Sequence, residues 1–310
     1  MKGTRVLAIP GCIWMLACVL SCSTAPAPTD ARSTVKNQAA QDSASGEGYY
    51  RQARYDLALQ FFMQALNGYT SVDDTAGVAT TCNLIGKTYL VTGSLDQAEI
   101  MFTRARAKAQ EISPSLVLDA TNNLGELYLT QGDAQKALAT FQEALALPAV
   151  AQSTARTALL YHNMGTAEKN LSNPAGALEY YQKSLQMNLS NRLNAEAAAD
   201  YYMIASVHSR QGRFDEALRN ADLALSYDKR VENSPGIAED LYALGLISTR
   251  KKDPAAAFDF YQRSYLVYVT MGLKPGLKKT LTALISTADE RGRNADAETY
   301  RKALADLGPQ

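Results

Sequence analysis

Small and aromatic residues recur along this chain with a period of about 40 residues. An alanine opens each frame, an aromatic residue usually stands four positions later, and a small residue usually stands seven positions later. Residues at i, i+4 and i+7 share one face of an α-helix. The seven opening alanines are Ala58, Ala98, Ala137, Ala177, Ala217, Ala257 and Ala297. The pattern therefore predicts seven similar helices, each packing through a small–aromatic–small face.

A second small residue marks another helix upstream of each alanine. Twelve residues before the alanine, five of the seven frames have glycine, usually after a large apolar residue, as in Ile85-Gly86 and Leu124-Gly125. Turn residues such as Gly93-Ser94 and Asp253-Pro254 separate the two helices, and they are typical of a helix end followed by a new N-cap. Each period is thus predicted to be a helical pair whose small residues allow close approach.

The third frame carries the fullest set of these residues, with Leu124, Gly125, Tyr128, Ala137 and Phe141 in register. This order resembles the tetratricopeptide repeat. The resemblance spans most of the chain and implies an all-α fold, a right-handed α-solenoid of about seven helix–turn–helix repeats. The period is longer than the usual ~34 residues, which is typical of the long-repeat branch. The predicted solenoid occupies residues 39–310, with repeats at approximately 39–78, 79–117, 118–157, 158–197, 198–237, 238–277 and 278–310.

The N-terminal segment departs from the repeat pattern. Two basic residues precede an apolar run at residues 6–20, which is shorter than the ~20 residues of a membrane-spanning helix. The run ends in Val19-Leu20-Ser21-Cys22, which resembles a bacterial lipoprotein signal. We therefore predict a signal peptide at 1–21, lipidation at Cys22, and a flexible tether at 22–38 that is polar and proline-containing.

The lipoprotein resemblance also implies a location. Ser23, rather than aspartate, follows the cysteine, and this favours a lipid anchor in the outer membrane facing the periplasm if the cell has two membranes. Two alternatives remain open for this segment. Cys18 is a second candidate for lipidation, and an ordinary secretory signal would be cut near Ala25.

Composition excludes several function classes. Among 310 residues, 31 Lys+Arg balance 31 Asp+Glu, which argues against nucleic acid as a partner. Only Cys82 lies beyond residue 22, so we expect a buried thiol rather than a disulfide framework. The chain has two histidines, His162 and His208, and no phosphate-binding or hydrolase motif. We accordingly expect no enzyme activity, no catalytic residues, no metal and no cofactor.

Function is expected on the concave surface of the solenoid, which the first helix of each repeat lines. The family resemblance implies that residues close to each Leu-Gly position face inward. His162 is expected there without a partner residue. The predicted partner-binding groove consists of Asn83, Lys87, Asn122, Asn123, Glu126, His162, Asn163, Lys169, Tyr202, Arg210, Tyr242 and Arg250.

These residue types point to a peptide ligand. Asn123 and Asn163 occupy equivalent positions, and amides can pair with the backbone of an extended peptide. The two tyrosines offer apolar area with a polar tip, and the two arginines could bind a carboxylate. The alternative is that the asparagines satisfy local backbone groups and that the arginines are solvated surface.

The sequence therefore favours a membrane-anchored adaptor or scaffold that binds protein or peptide partners in the bacterial envelope. One alternative is a peptide-sensing regulator. Another is a structural subunit of a pilus or secretion complex that self-assembles into a homo-oligomer through its repeat ends. An enzyme would require a cluster of carboxylates with perturbed pKa values in the groove, and the sequence does not reveal one.

Overall fold

A computed structural model of the chain describes residues 31–308. Fourteen α-helices and no strand occur over this range, which confirms the predicted all-α repeat architecture. The helices are α1 (Ala31–Arg51), α2 (Tyr55–Ser71), α3 (Thr75–Val91), α4 (Leu95–Ala109), α5 (Pro114–Thr130), α6 (Ala134–Leu145), α7 (Thr154–Asn170), α8 (Pro174–Ser190), α9 (Asn194–Arg210), α10 (Phe214–Arg230), α11 (Ser234–Arg250), α12 (Pro254–Met271), α13 (Lys274–Glu290) and α14 (Asn294–Asp306). A short 3₁₀ helix, Pro148–Gln152, joins α6 to α7.

The predicted signal peptide, Cys22 and residues 22–30 of the predicted tether lie outside the described residues. The remainder of that tether prediction is wrong, because α1 begins at Ala31 and residues 31–38 are helical. The error came from the polar composition of this segment. Ala39, one turn further along α1, is nonetheless buried.

The repeat boundaries lie about four residues earlier than the sequence frame placed them. Side-chain caps explain the true starts: Asp74 accepts a hydrogen bond from the backbone N–H of Gly77, and Ser113 accepts one from the backbone N–H of Leu116. Ser153 caps α7 in the same way. These caps precede the apolar positions on which the sequence frame was anchored.

Each helix packs on its neighbours in the chain, and the odd-numbered helices also contact one another. Such contacts join α1 to α3, α3 to α5, α5 to α7 and α9 to α11. The first helices of successive pairs therefore line one continuous surface, which is the concave side of a repeat solenoid. Within residues 31–308, none of the helices combines the length and apolar character required to cross a bilayer.

The small–aromatic–small face forms the seam of five of the seven repeats. All seven frame alanines are fully buried. Glycine on the first helix lies against the aromatic ring on the second: a Cβ at Gly125 would stand 2.3 Å from Phe141 Cε1, and one at Gly165 would stand 2.7 Å from Tyr181 Cδ1. The small residues thus set how closely the helices approach. Cys82 is also fully buried, as predicted, and burial raises the pKa of its thiol.

Replacing Ala137 by leucine should destabilise the fold, because the seam has no room for three further carbons. Overpacking of a filled core costs about 1–3 kcal/mol. The measurement is urea unfolding of the Ala137→Leu variant beside an Ala107→Leu control, since Ala107 is exposed on α4. An unchanged unfolding midpoint for Ala137→Leu would contradict the assigned seam.

Candidate functional site

The twelve groove residues predicted from sequence all lie on first helices of their repeats, from α3 to α11. The structure divides them into three groups with different chemistry. Asparagines occupy the N-terminal part, a histidine network the middle, and tyrosines with arginines the C-terminal part.

The four asparagines form hydrogen bonds with their neighbours and are buried. Asn123 Nδ2 donates to Asn83 Oδ1 at 3.3 Å, and Asn163 Nδ2 donates to Asn122 Oδ1 at 2.9 Å. Asn163 Nδ2 and Asn122 Nδ2 also donate to Glu126 Oε1, at 3.1 and 2.8 Å. Each asparagine is at most 8% exposed. Their amides join adjacent first helices, which differs from the peptide-binding role and from the local backbone role that the sequence suggested.

His162 has a partner that sequence reasoning missed. Its Nδ1 lies 2.7 Å from Asp200 Oδ1, across the contact between α7 and α9. The other carboxylate oxygen, Asp200 Oδ2, accepts from Ser184 Oγ and Asn188 Nδ2, both at 2.8 Å. The carboxylate is fully buried and stands between serine and histidine. A serine nucleophile requires the histidine in the middle position, so this network is arranged for stability rather than for acyl transfer.

A second buried carboxylate, that of Asp240, occupies the position in the next repeat that is equivalent to Asp200. Asp240 on α11 faces Asp228 on α10, and both are at most 5% exposed. Burial raises the pKa of Asp240 to about 8, and the carboxyls of Asp228 and Glu239 act in the same direction. Burial also raises the pKa of Asp228. This is the carboxylate cluster that the sequence did not reveal.

The C-terminal part of the groove is aromatic and cationic. Tyr202, Tyr242, Arg210 and Arg250 line a depression of about 170 Å³ between α9 and α11. Tyr242 packs on Tyr261 with ring centroids 5.3 Å apart. Arg250 Nη1 donates to Ser209 Oγ at 3.0 Å. This places the predicted tyrosine and arginine pairs together around one cavity.

Lys169 on α7 adds a third cation beside this depression. It is half-buried, its Nζ has Met203 Sδ as a neighbour at 3.9 Å, and burial followed by the charge of Arg210 lowers its pKa. Over the described part of the chain, the ion pairs do not include Lys169, Arg210 or Arg250. Three neighbouring cations without carboxylate partners favour binding of an anionic group.

Sequence reasoning also missed four charged residues of the groove. Arg156 binds Asp119 through two contacts, Nε to Oδ1 at 2.6 Å and Nη2 to Oδ2 at 3.1 Å. Lys279 Nζ lies 2.6 Å from Glu239 Oε1 and 4.6 Å from the Tyr242 ring centroid. Asp119 and Glu239 each lie six positions before the glycine of their repeat. This is about one helical turn before the positions assigned to the groove from the sequence. The 3.6-residue helical period alone predicts that these residues lie on the same face as the groove residues.

Comparison with known proteins supports the repeat assignment. The family model described as "Tetratricopeptide repeat" matches residues 39–111, 116–190 and 195–268. No curated protein sequence matches the chain.

Several solved structures share the fold. Aspartyl phosphate phosphatase F from Bacillus subtilis superposes with a TM-score of 0.70 and 15% identity, over 91% of this chain and 73% of that chain. A Rap protein complexed with competence and sporulation factor gives 0.66 and 12% identity, over 87% and 74% of the two chains. PilF of Pseudomonas aeruginosa gives 0.54 and 17% identity, over 77% and 94%. At these identities the likeness concerns the fold alone.

Proposed function

The chain is a member of the tetratricopeptide repeat family, and from this premise we propose that it is a membrane-tethered adaptor that binds a peptide segment of a protein partner. Repeat proteins of this family are generally non-catalytic scaffolds whose concave surfaces bind proteins or peptides. The proposed adaptor has no enzyme activity of its own. Its partner lies in the bacterial envelope, and lipidation at Cys22 holds it at a membrane.

One observation carries the peptide-binding part of the proposal. Arg210 and Arg250 line the aromatic depression with Tyr202 and Tyr242, and Lys169 lines an adjoining cavity that shares Arg210. The charges of these three residues lack carboxylate partners among residues 31–308. Unpaired cations beside tyrosines suit a segment that combines an acidic group with apolar side chains. The asparagines are assigned a different role here, since they fix the register of the first helices.

Reversing the two arginine charges should reduce partner binding. In the Arg210→Glu, Arg250→Glu variant, loss of charge-assisted hydrogen bonds of about 1.5 kcal/mol or more predicts roughly ten-fold weaker binding. Crosslinking and pulldown from native envelopes would compare wild type, this variant and an Arg104→Glu control. Arg104 is an exposed arginine on α4, a second helix outside the groove.

The charge-reversal variant should lose specific crosslinked proteins that both wild type and the Arg104→Glu control retain. Its melting temperature should match that of wild type, because both arginines are exposed. Equal recovery of every partner by the two variants would refute a role of this depression. If a short free peptide competes with the recovered proteins, the peptide-sensing alternative is favoured over a scaffold.

Replacing Cys22 by alanine should release the protein from membranes. One lipid-modified cysteine provides stable anchoring through two or more acyl chains, at about 0.8 kcal/mol for each buried CH₂. The measurement is fractionation after a salt wash, followed by immunoblotting. Cys18→Ala serves as the control, and it should leave the protein in the membrane fraction. Membrane retention of Cys22→Ala would contradict the anchor.

A further inference from the structure

The buried carboxylates Asp200 and Asp240 occupy equivalent positions in successive repeats, but their surroundings differ. Asp200 receives hydrogen bonds from the side chains of His162, Ser184 and Asn188. Forty residues further on, these three donors are replaced by Tyr202, Ala224 and Asp228. Alanine has no donor, and aspartate is itself an acid. Asp240 therefore lacks the set of donors that makes its counterpart stable inside the protein.

The consequence is visible at Asp240 itself. Its Oδ2 is buried and has no hydrogen-bond partner within the described chain, although the residue is only 2% exposed. Asp228 is better provided, since Asn233 Nδ2 donates to its Oδ1 at 3.0 Å. A buried polar oxygen without a partner is costly, and such atoms are rare in folded proteins.

A recess lies beside these carboxylates on the groove surface. It measures about 290 Å³ and lies between α9 and α11, with Asp228, Asp240 and Glu239 on one side and the small side chains of Ala195 and Ala199 on the other. Gly236 lets the Asp228 carboxylate approach α11 closely, because a Cβ there would stand 1.8 Å from Asp228 Oδ2. In the preceding repeat the equivalent residue is Glu196, and the corresponding recess beside Ser184 and Asn188 is smaller, about 130 Å³.

We propose that this recess is a binding subsite for a primary ammonium group, the side-chain terminus of a lysine in the bound peptide segment. The ammonium donates hydrogen bonds to Asp240 and Asp228, and thereby supplies the donors that Asp200 obtains from its own protein. The alanines contact the methylene stem. This inference rests on the proposed function, because it places a basic residue of the partner near the tyrosines.

The recess and the cationic depression would then bind groups of opposite charge on one ligand. Tyr202 borders both the recess and the cationic depression. Asp240 and Arg250 are ten residues apart on α11, which corresponds to roughly 15 Å along a helix. An extended peptide spans that distance in about four to five residues. The preferred segment therefore carries a lysine and an acidic group at about that separation.

The test uses N-acetyl-lysine methylamide as the probe and N-acetyl-norleucine methylamide as its neutral counterpart. Both are titrated into ¹⁵N-labelled full-length protein, and NMR shifts of backbone amides are recorded. We expect saturable shifts at residues 195–202 and 236–240 with the lysine probe, and at least about ten-fold weaker binding of the norleucine probe.

Two substitutions make the result specific. Asp228→Asn gives Asp240 the amide donor that Asn188 gives Asp200, and Asp240→Asn removes the unpartnered carboxylate. Each should weaken probe binding about ten-fold or more, while Glu196→Gln, a groove carboxylate of the preceding repeat, should leave it unchanged.

Burial, followed by the neighbouring carboxyl of Asp228, raises the pKa of Asp240, so the ammonium must displace a proton from Asp240 in the ligand-free protein. Wild-type affinity for the lysine probe should therefore rise between about pH 6 and 8. The groups that face the pair are Tyr202 on α9, Asn233 in the turn after α10, and Glu239 on α11 with its partner Lys279 on α13.

Equal binding of the two probes, or unchanged binding in Asp228→Asn, would overturn the subsite. Failure of the adaptor proposal is recognised separately. It would appear as equal partner recovery by the arginine charge-reversal variant and its control, whatever the lysine probe does.

Discussion

Asparagine in place of Asp200 is expected to destabilise the protein by about 2–4 kcal/mol. The carboxylate, which lies on α9, accepts three side-chain hydrogen bonds from two other helices, α7 and α8. An amide keeps one acceptor oxygen but turns an NH₂ group toward donors that then lose their acceptor. Each buried donor without a partner costs about 1–3 kcal/mol, and bonds to a charged acceptor are the stronger ones.

Equilibrium urea unfolding of Asp200→Asn measures this effect. The control is Asp259→Asn, an exposed aspartate on α12 whose substitution should change stability by less than about 0.5 kcal/mol. If Asp200→Asn unfolds at the wild-type urea concentration, the buried network does not hold the repeats together as the geometry indicates.

The same substitution at Asp240 should have the opposite effect. The pKa of this carboxyl is raised to about 8, mainly by burial, against about 3.9 in an unfolded chain. Between these values the folded protein binds a proton that the unfolded chain releases. Stability therefore falls as pH rises from about 4 to 8, and becomes independent of this group above about 8.

Asp240→Asn removes that proton linkage, and its amide can donate to Asp228. The variant should be more stable than wild type at pH 8 by about 2–5 kcal/mol, with a difference that shrinks toward pH 4. Urea unfolding of both proteins at intervals from pH 5 to 8.5 gives the curve. A difference that does not vary with pH would show that Asp240 is ionised in the folded protein.

Residues at equivalent positions of two repeats can have different hydrogen-bond partners. Asp200 and Asp240 are aligned by the 40-residue period, so the sequence alone makes them look interchangeable. Their environments differ because the residues around each carboxyl come from other helices, α7 and α8 for Asp200 and α9 and α10 for Asp240. Asn188 and Asp228 differ by one amide group, yet Asn188 donates a hydrogen bond to Asp200, whereas Asp228 adds to the effect of burial in raising the pKa of Asp240.

The candidate groove was partly predictable for the same reason. Periodicity placed the twelve residues on first helices, and the tyrosine and arginine pairs do meet at one depression. The asparagines were placed on the correct helices but given the wrong neighbours. Contacts such as Asn163 with Asn122 join residues about 40 positions apart, and their distance depends on how tightly two repeats stack.

What the sequence determined by itself was the repeat. Small residues at fixed helical offsets allow helices to approach closely where they cross, so the spacing of Gly125, Ala137 and Phe141 is enough to predict the helical pairs. The tertiary structure decided which polar side chains remain available to a ligand. Hydrogen bonds between repeats engage the asparagines and His162, whereas Lys169 and Arg210 lack carboxylate partners and Asp240 Oδ2 lacks a donor among residues 31–308. Which side chains form these hydrogen bonds depends on donor–acceptor distances to within a few tenths of an ångström, and helical periodicity does not encode such distances.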